Sequence, residues 1–385
     1  MRVAIVAGPE AGHALPALAL ATALAAAGDT PVVFTGERWG ATGTERGIDT
    51  RGLPGLSPRP GDDDGDAGQK IHARAAHIAA LLHPELSSLA PDLVVSDIIT
   101  AGGGMAAERL GIPWVELSPH PLYLPSRGLP PIGSGLPPGE GVGGRLRDAI
   151  LRALTARHIR AGARQRGAAR ASIGLPSTDP GPRARIVATI PALEVARPDW
   201  PARTHLVGPL TLEPTAAHCP VPEGAGPLVM VAPSTAATGT AGLAELVVAG
   251  LTPAAFGGAV RVAISALHPT GFDEPWVASG FGRQDLLVQQ ADVVVCGGGH
   301  GLLTKALTAG RPVVVVPGGG DQWELANRVA RAGLGVLVRP ATPDGIAAAV
   351  RRVLGDPGFA ERARAAAEAA DAVADPVAVC RSALA

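Results

Sequence analysis

The chain returns again and again to runs of four to six residues that are apolar almost throughout: RVAIV (2–6), PVVFT (31–35), DLVVS (92–96), PWVEL (113–117), LVMVA (228–232), VRVAIS (260–265), DVVVC (292–296) and VVVV (313–316). A strand with one wet face alternates apolar and polar residues; these do not, so they suit strands covered on both faces. Two further strands are expected in RIVATI (185–190) and THLVG (204–208), and longer Ala- and Leu-rich segments between the strands supply the covering helices. The spacing predicts helices over 15–27 (ended by Gly28), 67–89, 145–172 and near 240–251, one between DLVVS and PWVEL that ends at Leu110, and more after 297. Strand–helix alternation of this kind folds as α/β with parallel sheets.

At 385 residues the chain exceeds one core and fits two. The segment GPLTLEPTAAHCPVPEGAGP (208–227) is rich in Pro, Gly and small residues, and the alternation restarts after it. The expected division is a first Rossmann-like domain over 1–212, a linker over 213–226 and a second Rossmann-like domain over 227–385, with the last helix free to pack back on the first domain. Residues 118–144, dense in Pro and Gly, read as a long loop over the surface or a site.

Composition excludes several classes. A formal net charge of −1 argues against a general nucleic-acid binder. Cys219, Cys296 and Cys380 are far apart and form no CxxC pair, so they offer neither a disulfide framework nor a zinc site. The opening MRVAIVAG lacks a cleavage signal and no apolar run reaches ~18 residues, so a cytoplasmic protein, monomeric or homodimeric, is expected. The acidic DDDGD (62–66) reads as a solvated loop, and no metal site is assigned.

In open α/β sheets, ligands sit beyond the C-terminal strand ends. In the first half this rule selects His13, in the turn AGPEAGHALP, and Asp97, which ends DLVVS. A helix N-terminus disfavours a cation, so His13 is expected to stay neutral near pH 7, as a general base requires. A carboxylate at Asp97 would fix its tautomer and stabilise its protonated form. The alternatives are a helix-capping or buried structural histidine and an N-cap aspartate. In the second half the rule selects the hydroxyls of Ser234 and Thr235, the glycines of GGGHG (297–301) with His300, and Asp321-Gln322 after the triplet 318–320. Bare backbone at Gly298, Gly299 and Gly301, opening a helix, suits a diphosphate. Acid beside amide suits the hydroxyls of a sugar.

These motifs carry a resemblance. GHALPALALATALAAAG is similar to the GHxxPxxxLAxALxxxG opening of the GT-B nucleotide-sugar glycosyltransferases, and ALTAGRPVVVVPGGGDQ to their ALxxGxPxxxxPxxxDQ. The nearest branch is the bacterial macrolide and natural-product type of family 1, and the order of elements agrees over nearly the whole chain. The resemblance implies a GT-B fold, two domains facing a cleft, and no cofactor beyond a UDP- or TDP-sugar as donor substrate. It implies inverting transfer to a small hydrophobic acceptor with His13 as base and Asp97 as its partner. Ser234 and Thr235 would touch donor phosphate, Arg283 and Gln284 the nucleotide base, and Asp321 and Gln322 the donor sugar.

The chain departs from its relatives where they carry HGGxGT. Here GGGHGL stands, with Gly297 replacing the phosphate-binding histidine and His300 three residues later, either on the diphosphate or turned away to cap or pack. That departure keeps open a GT-B-like binding or partner protein without transferase activity. Eight arginines between 145 and 170, with Asp148 as the only acid, read as a solvated face. They also keep open a transferase at a membrane surface acting on a lipid-type acceptor.

Overall fold

The computed structural model describes residues 1–57, 65–235 and 238–384. Asp62 to Asp64 of the acidic run lie outside the described residues. Strands β1 (Arg2–Val6), β2 (Thr30–Thr35), β3 (Asp49–Gly52), β4 (Leu93–Asp97), β5 (Trp114–Ser118), β6 (Ala184–Val187) and β7 (Thr204–Leu206) form one parallel sheet. Its order is β3-β2-β1-β4-β5-β6-β7. A second parallel sheet holds β8 (Leu228–Ala232), β9 (Arg261–Ser265), β10 (Val277–Gly280), β11 (Val293–Cys296), β12 (Val313–Val315) and β13 (Gly335–Leu337), ordered β10-β9-β8-β11-β12-β13. The chain is α/β with two doubly wound domains, as the apolar runs require.

Each sheet reverses its winding once, between β1 and β4 in the first and between β8 and β11 in the second. Val6 pairs with Ser96 across one switch point, Cys296 with Ala232 across the other. Loops leaving neighbouring strands there diverge to opposite faces, which opens a crevice. The crevice residues are those that follow β1, β4, β8 and β11.

Both faces of each sheet are buried. Val3, Ile5 and Val95 of the first sheet pack on Leu18, Leu20 and Leu24 of the helix Ala11–Ala26. Val94 and Val6 pack on Leu82 and Leu86 of the helix Ala67–Leu89. The domains also share core. Ile190 and Leu193, around the turn Pro191–Leu193 that follows β6, lie in one cluster with Met230, Leu303 and Leu325 of the second domain. In the opposite direction the helix Pro376–Ser382 buries Val377, Val379 and Cys380 against the first domain's core.

Three strands have no counterpart among the expected runs: β3, β10 and β13. The first two are edge strands and the third closes the other edge of the second sheet. DTRG and VASG lack an apolar run because an edge strand carries less buried surface. The first helix begins at Ala11 rather than Leu15, and tolerates Pro16 in its second turn.

Candidate functional site

His13 sits in the first turn of the helix Ala11–Ala26, where Glu10 O accepts from the N–H groups of His13 and Ala14. Its Nδ1 lies 2.7 Å from Asp97 Oδ1, at the end of β4. Asp97 is buried, and its Oδ2 accepts from Thr100 Oγ1 at 3.1 Å and from the Ile99 N–H at 3.3 Å. The carboxylate is thus held on both oxygens, and an acceptor at Oδ1 makes Nδ1 the protonated nitrogen. Nε2 keeps its lone pair.

The expected electrostatics of His13 need correction. Burial depresses its pKa, but the Asp97 hydrogen bond and charge, joined by Glu10 and Asp321, outweigh it and leave the pKa above its ordinary value. The helix N-terminus contributes only about half a charge, whereas Asp97 presents a carboxylate in contact. His13 is therefore a stronger base than a free imidazole, and is protonated more readily. Asp321, at the N-terminal cap of the helix Gln322–Arg331, is exposed and close enough across the crevice to act on His13.

The second-domain loops meet one another. Gln322 is buried, its Nε2 donating to Ser234 Oγ at 3.0 Å and its Oε1 accepting from the Gly318 N–H at 2.9 Å. Both ends of the amide are therefore engaged in tying the loops after β8 and β12 together. Asp321 beside it is exposed, and the Gln322 amide keeps a second N–H and a second lone pair beyond these two bonds. Thr235 is exposed beside Ser234.

The glycines differ from one another. Gly298 has φ of +87°, and an added Cβ would come within 2.9 Å of Val315 Cγ1. Its glycine is demanded by backbone and packing. Gly299, the N-terminal cap of the helix His300–Thr308, and Gly301 in its first turn have open space where a side chain would stand. An α-helix leaves its first N–H groups without intrahelical partners, so this end, where two of the residues carry no side chain and have room beside them, is a candidate anion site.

His300 turns to the other domain. Its Nε2 lies 2.8 Å from Thr189 Oγ1. Burial, with His120 and Arg328 near it, pushes its pKa down to about 3 against a favourable bond to the Pro119 backbone. It is neutral, so the positive charge that a phosphate ligand would use is absent. Its engagement with Thr189 and Pro119 is the packing alternative.

Arg283 pairs with Asp285 at 2.5 Å and lines a cavity of about 500 Å³ with Glu45, Arg46, Glu213 and Thr215. Gln284 is bridged on both sides, to Ser265 Oγ at 3.3 Å and from Lys305 Nζ at 3.2 Å. Lys305 also pairs with Glu213 Oε1 at 2.6 Å, and Glu213 accepts from the Gln284 and Asp285 N–H groups. A linker carboxylate thereby caps the helix Gln284–Gln290. Among the described residues no group of three or more His, Cys, Asp or Glu side chains is arranged to hold a metal ion.

Two residues at the crevice were not singled out from the sequence. His120 and Tyr123 lie in the long loop after β5; their rings stack with centroids 4.6 Å apart, and the His120 and His13 rings stand nearly perpendicular with centroids 6.4 Å apart. His120 Nδ1 is 2.8 Å from Pro121 O, and burial holds its pKa below the ordinary value. Tyr123 stands under the Arg328 guanidinium with its hydroxyl buried and unpaired. The strand-end rule that selects His13 applies equally to His120, two residues beyond β5. The loop also spans the domains: the Gly135 N–H donates to Glu324 Oε2 at 2.9 Å and Trp323 Nε1 to Ser134 O at 3.2 Å.

Comparisons with known proteins agree with this geometry. Residues 282–383 match the family model "Erythromycin biosynthesis protein CIII-like, C-terminal domain". The chain is 30% identical to 4'-demethylrebeccamycin synthase of Lentzea aerocolonigenes, over 98% of both chains. Among solved structures, the glycotransferase of kitacinnamycin superposes with a TM-score of 0.75 at 22% identity, covering 99% of this chain and 97% of that one. Spinosyn rhamnosyltransferase SpnG complexed with thymidine diphosphate superposes with a TM-score of 0.68 at 21% identity, covering 99% of each. Two facing parallel-sheet domains with a crevice at both switch points, and a full-length relative at this identity, lead to one conclusion: the chain belongs to the GT-B natural-product glycosyltransferases of family 1.

Proposed function

We propose that the protein transfers a sugar, with inversion, from a nucleoside-diphosphate sugar to a hydroxyl of a small, largely apolar acceptor. The observation that carries this is the His13–Asp97 pair, 2.7 Å apart, with Asp321 of the other domain close enough to act on the imidazole. The acceptor O–H gives its proton to His13 Nε2 as its oxygen attacks the anomeric carbon. The bond from that carbon to the diphosphate breaks in the same displacement, so the configuration inverts. Asp97 stabilises the imidazolium that forms. The departing charge meets the free N–H groups at Gly299 to Gly301, whose open space admits a diphosphate without a side chain in the way. Asp321, exposed opposite His13, is the group placed to accept from a sugar hydroxyl. Thymidine diphosphate in the SpnG complex supports TDP-sugars as the first donors to try.

The test is a mass-spectrometric screen of TDP- and UDP-sugars against mixed hydroxylated acceptors, run with wild type and His13→Ala. Transfer by wild type, a turnover loss of roughly 10²–10⁴-fold in His13→Ala, and unchanged calorimetric affinity for TDP are expected. Full activity in His13→Ala would remove the base; failure to bind any nucleoside diphosphate would remove the transferase reading.

A further inference from the structure

The helix Gly141–Ala171 follows the crevice loop and presents a face that nothing among the described residues covers. Val142, Leu146, Ile150 and Leu154 repeat at every fourth residue, with 78%, 59%, 52% and 66% of their surface exposed. At about 100° per residue these side chains fall within one third of the helix circumference, a stripe roughly 18 Å long. Arg157, Arg160 and Arg164 continue the same face toward the C-terminal end, and all three are exposed. The exposed face is thus apolar in its first half and cationic in its second.

Its charge is unbalanced. Arg147, Arg166 and Arg170 pair with Asp148, Asp179 and Glu108. Arg145, Arg152, Arg157, Arg160 and Arg164 have no carboxylate partner among the described residues. Asp148, the one acid in the helix, is buried and accepts from the Gly139 N–H at 2.7 Å. The exposed face therefore carries cations and no anion.

We propose that this face docks the enzyme on an anionic lipid bilayer. The partner must accept large aliphatic side chains and match several unpaired guanidinium groups at once. A bilayer surface offers both, an acyl boundary beneath a layer of phosphates. A second copy of the chain matches the apolar half but brings only more arginine to the basic half. The axial division of the face sets a tilt, with the Val142 end deeper and Arg157 to Arg164 at the phosphates. Among the described residues no helix is long and apolar enough to cross a membrane, so the contact is peripheral. The helix begins where the loop bearing His120 and Tyr123 ends, which places the crevice loop beside the lipid that an apolar acceptor would enter. This inference does not depend on which sugar or acceptor is used.

The full-length protein is to be sedimented with phosphatidylcholine vesicles, with and without phosphatidylglycerol. Binding is expected to the anionic vesicles and to fall when salt rises from about 0.1 M to about 1 M, as the screening length drops from about 10 to about 3 Å. Replacing Arg157, Arg160 and Arg164 together by glutamine should weaken anionic binding about a hundredfold, each arginine near the surface being worth about fivefold. Replacing Leu146, Ile150 and Leu154 together by serine should weaken it at least about tenfold. Both sets are exposed, so each variant should keep wild-type thermal stability and turnover of a soluble acceptor. Equal binding by the variants, or no binding of wild type to phosphatidylglycerol, overturns the proposal. So does a lipid-free dimer in sedimentation velocity that the serine set dissolves, which would assign the face to a second copy.

Discussion

Asp97→Asn probes the centre of the proposed mechanism, and the surrounding bonds decide which way the new amide turns. The carboxylate receives His13 Nδ1 on one oxygen at 2.7 Å, and the Ile99 N–H and Thr100 Oγ1 on the other at 3.3 and 3.1 Å. An amide has one accepting end. If its oxygen faces His13, its NH₂ confronts the fixed Ile99 N–H, and that part-buried donor loses its acceptor at a cost of about 1 kcal/mol. If its oxygen faces Ile99, its NH₂ points at Nδ1, which must then accept. The second arrangement keeps every bond and moves the imidazole proton to Nε2, the nitrogen that should receive the acceptor's proton. The substitution therefore blocks the base without removing it, and also withdraws the charge that stabilises the imidazolium. Turnover should fall by roughly 10²–10⁴-fold, the wrong-tautomer effect in hydrolase triads reaching about 10⁴. The pH profile adds a second readout. Asp97 helps raise the His13 pKa, so wild-type kcat/KM should fall as pH drops through that raised value. Without the carboxylate, burial acts with less opposition and the acid limb should move to lower pH. Rates followed by nucleoside diphosphate release across pH, with TDP affinity as the control, decide it. A variant with wild-type turnover, or an acid limb that stays in place, refutes the assignment.

Further outcomes follow from the same contacts. Gly298→Ala should destabilise the protein by about 1–2 kcal/mol or more, because a side chain is forced into the left-handed region against Val315; urea unfolding measures this. Gly299→Val, with φ of −62° and open space around it, should leave stability nearly unchanged and weaken TDP binding in calorimetry; unchanged affinity would move the diphosphate elsewhere. His300 has a folded pKa lowered to about 3, so its contribution is present above the unfolded value and is lost as pH falls toward 3. That amounts to on the order of 1–2 kcal/mol between about pH 7.5 and 5, and thermal melts of His300→Gln should show a flatter acid slope. Lys305→Met strands the Glu213 carboxylate, 12% exposed in the pair, and should cost about 3 kcal/mol in urea unfolding.

The sequence announces the interior strands because burial on both faces forces continuous apolar runs, as in VVVV and DVVVC. It is nearly silent on DTRG and GVL, whose place in a sheet depends on a neighbour's free edge. The crevice was legible for the same reason: His13, Asp97, Ser234 and the glycines all follow strands that flank a switch point. What side chains do after the turn is a different matter. Gln322 and Gln284 look like ligand-binding amides, and each also holds the fold together at both ends of its amide, through Ser234, Gly318, Ser265 and Lys305, partners up to 88 residues away. The sign of the His13 shift differs from the expectation because the helix end was weighed above Asp97, and only the fold brings that carboxylate, 84 residues distant, into contact with Nδ1. His120 and Tyr123 were overlooked because a Pro-rich loop hides its destination until the domains close on it.

The return of the helix Pro376–Ser382 to the first domain has a consequence for how the protein is made. Cys380 and Val377 belong to the same core as Val3 and Leu18, so the amino-terminal domain leaves the ribosome first and is completed last. With the second domain still to be translated, at about 5–20 residues per second, the nascent first domain waits roughly 10–35 s with part of its core uncovered. The second domain must meanwhile fold around Ile190 and Leu193, which the first domain supplies. Neither half is then a self-sufficient product of synthesis, and a stop codon a few residues early exposes apolar surface at the opposite end of the chain.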